Sequence, residues 1–476
     1  MTFSSDYQQN KKYLKEALRI NESFDLICKD TVIGGKNACF FFVDGFTKDE
    51  VMQKLLSGFY TIKSQDMPEH ASEFSTRQLP YIEVDVIDEL SKTVTAILSG
   101  MTALFIEGYS SAICMDVRTY PARNVDQPEK EKVLRGSKDG FVETIVFNTA
   151  LIRRRIRDPR LTMEMLSVGS VSHTDVVLCY MEDKIDKTLL EYVRNEISKI
   201  KARSLTMNQT SLAECLYERK WYNPFPKYKY TERPDTAAAS VMEGSLVILV
   251  DNSPSAIILP TSLFGIMEEA DDYYLPPITG TYLRLTRFLI STITFFITPV
   301  FLLLTMYPEW IPDWLSFIQL SEYTNIPLLF QFLILEIAID GLRLAAVNTP
   351  SMLSTPLSII AGLALGEYAV SSGWFNAEAM LYMAFVALSN YTQPSYELGY
   401  ALKFFRMITL ILTGFFGVFG LIGGTLLLFL ALLSNHTIDG RRRYLYPLIP
   451  FDKQTLKRQL LRLRRDEDSC VFILFF

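Results

Sequence analysis

Hydrophobic and polar positions change their pattern near residue 287. Before it, apolar runs are short and acids and bases interleave. From Phe288 to Ser434 charges become scarce and long apolar runs dominate. In the first part, "FDLICKDTVIGGKNACFFFVDGFTKDEVMQKLL" reads as a strand, a Gly34-Gly35 turn, a second strand and a helix, because a tight hairpin needs positive φ at its turn. "YIEVDVI", "TAILSG" and "TALFIEG" continue a mixed α/β pattern to about Arg135. A second unit opens at "GFVETIVFNTALIRRRIRDP", where a helix can align Phe141, Ile145, Ile152 and Ile156. Arg153, Arg154 and Arg155 close that helix as a solvated end that complements its dipole. The strand Thr174–Met181, the amphipathic "DKTLLEYVRNEISKI" and the strand–turn–strand "SLVILVDNSPSAIILP" follow. The expected fold class is an α/β soluble N-terminal region of two subdomains (1–135 and 136–275) followed by an α-helical polytopic membrane domain. That domain, 276–435, would hold four to five membrane segments, with a basic cytosolic tail at 436–476.

Phe288–Tyr307 is uncharged and about 30 Å long as a helix, enough to cross a bilayer. Arg284 and Arg287 precede it, and the stretch after it, with Trp310 and Trp314, has no Lys or Arg. The positive-inside rule therefore puts its amino end in the cytosol. The amino end, "MTFSSDYQQNKKYLKEAL", has no apolar signal-peptide core, which gives the same expectation for the soluble part. Leu328–Val347 would run back, yet it carries Glu336, Asp340 and Arg343. Each charge at a helix centre costs roughly 2.5–3.5 kcal/mol on insertion scales. The three share one helical face, so Arg343 is expected to neutralise one acid and leave about one negative charge on the stripe. Ser354–Pro394 is short of apolar length and rich in small residues, and its Ser358, Gly362, Leu365, Gly366 and Glu367 are candidate pore-lining positions. Met407–Ser434 reads as one long uncharged segment flanked on the inside by Lys403 and Arg406. Arg441–Arg443 argue for an inside tail and so for an even number of crossings, with one middle stretch re-entrant or broken. "KQTLKRQLLRLRRDED" places Leu456, Leu460 and Leu463 on one face. It suits an interfacial helix on anionic lipid or a helix packed on the cytosolic half.

The net charge of −6 gives no reason to expect a nucleic-acid partner. Six cysteines lack a paired spacing such as C-x-x-C, so reduced structural thiols are expected rather than a disulfide framework or a zinc site. The three histidines, His70, His173 and His436, are not clustered as metal ligands. His173 and Asp175 lack a nucleophile elbow, and "GGK" lacks the Walker spacing. No enzyme, cofactor or metal site is expected.

"GFVETIVFNTALIRRRIRDP" (140–159), "TDVVLCYMED" (174–183), "EGSLVILVDNSPSAIILP" (243–260) and "DDYY" (271–274) together resemble the A-subunit family of GerA-type spore germinant receptors. The resemblance extends from about residue 35 to 450. The segment after the loop keeps the family's Glu336, Asp340, Arg343 and Pro350, and departs from its pattern at Leu344, Asn348 and Glu367. These departures bring it closer to the stage V sporulation branch than to the nutrient-sensing subunits. The resemblance implies a multi-pass protein of the inner spore membrane that acts in germination, with its soluble region on the core side. It also implies an oligomeric, pentameric ion channel partnered with a transporter-like B subunit and a lipoprotein C subunit, or with other spore membrane channel proteins. Two functions remain open: a homo-oligomeric cation-channel subunit embedded in membrane lipid, and a non-conducting germinant sensor or scaffold.

Overall fold

Gly34 and Gly35, both at positive φ, close a hairpin between β1 (Leu26–Ile33) and β2 (Lys36–Val43), which pair along their full lengths. A computed structural model describes residues 3–118 apart from Ser5, 131–217, 221–320, 324–348 and 362–462. The chain divides into two compact units. One comprises Met1–Glu218 and Tyr228–Thr261; the other comprises Arg219–Lys227 and Ser262–Leu463.

In the first unit, α1 (Tyr7–Ala17) leads into the hairpin, its first turn capped by the Asp6 carboxylate accepting from the amides of Gln8 and Gln9. After β2 come α2 (Asp49–Phe59), α3 (Ala71–Arg77), β3 (Val84–Ile87), α4 (Leu90–Leu98), β4 (Thr102–Ile106) and β5 (Ala112–Met115). The sheet is antiparallel, in the order β1-β2-β4-β5-β3. "ACFFFV" is an unbroken apolar run because both faces of β2 are covered. Phe41 joins Leu14, Leu26 and Phe105 on one side, and Phe40 joins Phe59, Phe74 and Leu104 on the other.

The same plan then repeats. A helix α5 (Ile145–Arg155) leads into β6 (Leu161–Val168) and β7 (Thr174–Met181). α6 (Lys187–Lys199), α7 (Asn208–Leu216), β8 (Lys229–Thr231), α8 (Pro234–Met242), β9 (Leu246–Val250) and β10 (Ala256–Leu259) follow. The order β6-β7-β9-β10-β8 reproduces that of the first sheet strand for strand, and the helices fall at the same points along the chain. The first unit is thus two copies of one nine-element motif.

Arg153 does not end its helix in solvent. It is fully buried, donating through Nε to Asp25 Oδ2 at 2.8 Å and through Nη2 to Asp25 Oδ1, Ser23 Oγ and the Leu161 carbonyl. Arg155 pairs with Asp139, and that guanidinium together with the Ser137 hydroxyl holds the Asp139 carboxyl below its ordinary value against the opposing effect of burial. The helix end is covered because the segment before β1 folds over it. Removing one partner of a buried pair strands the other, at a typical cost of about 3–5 kcal/mol. Asp25→Ala is therefore expected to shift the urea midpoint of unfolding strongly downward, whereas Asp183→Ala, at an exposed pair with Arg160, should leave it within error.

The second unit is helical: α9 (Pro277–Met306), α10 (Leu328–Asn348), α11 (Ala377–Asn390), α12 (Tyr396–Phe416), α13 (Val418–Leu433) and α14 (Lys453–Leu460). α9 and α12 are long and apolar enough to cross a membrane. The division between units at 261–262 lies ahead of the domain boundary expected at 275–276. Residues 262–275 belong with α9, Phe264 packing on Phe288 and Asp272 binding Arg284 and Arg287. The fold class matches the expectation from the sequence, a two-subdomain α/β region followed by a helical one.

Candidate functional site

Helix α10 turns its polar stripe toward α12. Glu336 is buried and accepts from Arg406 Nε at 2.9 Å and Nη2 at 2.6 Å, while its second oxygen lies 3.3 Å from Lys403 Nζ. Asp340, one turn on and one-third exposed, pairs with the same Lys403. Lys403 also donates to the Glu336 carbonyl, and Arg406 to the Thr294 carbonyl of α9. Both acids are thus met by cations of α12. Arg343 does not neutralise either of them. It lies against the rings of Tyr391, Tyr396 and Tyr400, 5.0–5.7 Å from their centroids, where the ring quadrupoles favour a cation. This corrects two expectations from the sequence: the stripe carries no residual negative charge, and Lys403 and Arg406 are buried pairing groups rather than an inside flank. The physical reason is the crossing of α10 with α12, which is invisible along one helix.

Above this centre Gln331 and Asn376 bind reciprocally. Gln331 Nε2 donates to Asn376 Oδ1 at 2.7 Å, and the Asn376 amide donates to Gln331 Oε1 at 2.9 Å. The exposed side of α10 is apolar, with Phe330, Ile334, Ile337, Leu344 and Val347.

The expected single segment 407–434 is a hairpin. Gly417, at φ 57° and ψ −129°, breaks the helix, and α13 folds back along α12. A Cβ added to Gly420 would sit 1.9 Å from the Leu412 carbonyl oxygen, and one on Gly424 2.7 Å from Thr409 Cα. The two glycines, four apart, let the helix backbones touch, as small residues do in membrane helix pairs. "GLIGG" was the available signal, and the length of the apolar run hid it.

Side-chain contacts fix the helix directions. Phe301 meets Phe332 while Thr294 and Glu336 share Arg406, so α9 and α10 are antiparallel. Gln331 meets Asn376 and Arg343 meets Tyr391, so α10 and α11 run the same way. α12 opposes α10, and α13 opposes α12. After α13 the chain is back at the end where α9 starts, and Arg284 donates to the Gln459 carbonyl at 2.7 Å. The α14 segment therefore packs on the base of α9; Leu463 lies outside the described residues.

Of the candidate pore-lining positions, Ser358 lies outside the described residues, as does the side chain of Leu365. Leu363–Tyr368 is a π-helical turn continuing into Ala369–Ser371, whose Ala369 packs with Phe332, Phe375 and Met383. Gly362 and Gly366 have open space where a Cβ would be, and Glu367 is exposed, with no ion-pair partner among the described residues.

The first unit contains an open cleft of about 1370 Å³ between α2 and residues 139–151. Lys29, Lys48, Asp44, Tyr60 and Phe147 line it, and burial pushes the Asp44 carboxyl up from its ordinary range.

Residues 12–468 match the family described as Bacillus/Clostridium GerA spore germination protein. The chain belongs to the GerA spore germination family. It is 38% identical over 455 residues to stage V sporulation protein AF of Bacillus subtilis, covering 95% of this chain and 92% of the relative. It is 29% identical to spore germination protein A1 of the same organism, covering 76% and 74%. The N-terminal domain of the A subunit of the Bacillus megaterium germinant receptor GerK3 aligns with 54% of this chain and 96% of its own, at 22% identity and a TM-score of 0.41. The higher identity to the stage V relative agrees with the departures at Leu344, Asn348 and Glu367.

Proposed function

We propose that this spore germination protein is a subunit of an oligomeric cation channel in the inner spore membrane that releases ions during germination. The observation that carries the reading is Glu367. It is an exposed carboxylate on a glycine-flanked turn packed among apolar helices. Against lipid such a charge would cost roughly 2.5–3.5 kcal/mol, so its natural surroundings are water or another subunit. Repeated by symmetry it would form an acidic ring, which favours cations. Gly362 and Gly366, open on their Cβ sides, support close approach of a second copy. Glu336 and Asp340 act within the subunit as fixed pairs with α12, and the acidic ring does not include them. Liposomes containing the purified protein are expected to release potassium, and Glu367→Gln to lower the release rate about tenfold without altering the amount of folded protein. Ion-tight liposomes would refute the reading.

A second reading is favoured by the cleft in the first unit, which is open and roomy enough to admit a small molecule against charged and aromatic side chains. In it the chain is a non-conducting sensor. Ligand-dependent protection of Lys48 and Tyr60 from covalent labelling, in liposomes that stay ion-tight, would select it over the channel.

A further inference from the structure

Cys28, Asp30 and Cys39, which look unrelated along the sequence, meet on one face of the first hairpin. The register sets Asp30 opposite Cys39 and Cys28 opposite Phe41, so the two thiols are diagonal neighbours with the carboxylate beside them. Their ligand atoms all lie within 4.8 Å of one another. Zinc bonds of about 2.3 Å to sulfur and about 2.0 Å to oxygen place tetrahedral donors about 3.5–3.8 Å apart, so closure needs shifts of about an ångström or less. Helix α1 crosses this face with Tyr7, Lys11 and Lys15 at four-residue spacing, one above another. Tyr7 packs beside the Cys39 thiol in the same buried cluster, and Lys11 Nζ lies 2.6 Å from Asp30 Oδ1.

The internal repeat supplies the control. In the second copy β6 and β7 pair with the same register from their first residues, and the equivalents of Cys28, Asp30 and Cys39 are Met163, Met165 and Val177. There the motif folds around an apolar cluster. The architecture therefore has no need of two thiols and a carboxylate at these positions.

We propose that Cys28, Cys39 and Asp30 form a binding site for a thiophilic divalent metal ion of the zinc class, with water completing the tetrahedron on the exposed side. Binding releases the two thiol protons to solvent. The dication with two thiolates and a carboxylate carries one net negative charge, which Lys11 balances through Asp30 while Tyr7 orients the Cys39 sulfur. The set is three protein donors with one open position, unlike the four protein ligands of closed structural zinc sites.

The test uses the full-length protein, purified metal-free with a non-thiol reductant and titrated with cobalt(II), then zinc. The expected result is one equivalent of cobalt with a thiolate-to-metal charge-transfer band that zinc abolishes. Cys28→Ser, at a half-exposed position, should remove the band with the helical circular dichroism unchanged. Tyr7→Phe should weaken binding about 10-fold, the range seen for residues that orient ligands. No band in the wild type, or a band that survives Cys28→Ser, overturns the proposal; the latter would assign the metal to other cysteines as adventitious binding.

Discussion

Glu336→Leu is expected to lower the stability of the purified protein by about 3–5 kcal/mol, read as a large fall in its thermal midpoint in detergent. The substitution leaves the buried Arg406 guanidinium without its carboxylate partner and strips Lys403 of one of its two acids. Arg406→Leu should act in the same direction from the other side, leaving Glu336 with Lys403 as its remaining cation. The double substitution is expected to recover most of the loss, since it removes both charges together and leaves Lys403 with Asp340. Two single losses that simply add in the double variant would show that the pair is not the source of the effect. Ion selectivity should not follow these changes, because the pair lies inside the subunit.

Gly420→Leu should prevent the α12–α13 hairpin from closing. Its Cβ alone would fall within 2.2 Å of the Leu412 carbonyl carbon and oxygen, so backbone rather than a flexible side chain must give way. Even Gly420→Ala is expected to cost about 1–3 kcal/mol as overpacking. Gly423 offers the matched control, since a Cβ there meets nothing within 4 Å, and Gly423→Ala should be neutral or slightly stabilising by helix propensity. The measurement is the fraction of protein that stays monodisperse after extraction. If Gly420→Leu behaves like Gly423→Ala, the hairpin geometry is wrong.

What the sequence made legible follows from range. The hairpin at Gly34-Gly35, the strand Thr174–Met181 and the apolar helix through Phe288–Met306 are encoded by neighbours within a few residues, and each appears where periodicity and turn chemistry place it. The partners of charged groups are set by crossings tens of residues apart, and there the reading along the chain failed. Arg153 finds Asp25, Glu336 finds Arg406, and Arg343 finds three tyrosines. The hairpin at Gly417 was hidden for another reason: an apolar run has no polar break to mark a reversal, and only the glycine spacing records it. The repeat in the first unit shares strand order and helix placement, and its trace along the chain is confined to short matches in the last hairpin, where Gly100, Ser111, Ala112 and Ile113 correspond to Gly244, Ser255, Ala256 and Ile257. Of the candidate pore positions, Glu367 remains the one whose exposure departs from its apolar surroundings.

The most direct test is the reversal potential of the purified protein in a planar bilayer under a potassium chloride gradient. The expected result is a current whose reversal potential lies near that of potassium, shifted toward zero by Glu367→Gln and unmoved by Glu336→Gln in whatever folded fraction remains. A reversal potential that is the same for wild type and Glu367→Gln, or the absence of any current, would contradict it.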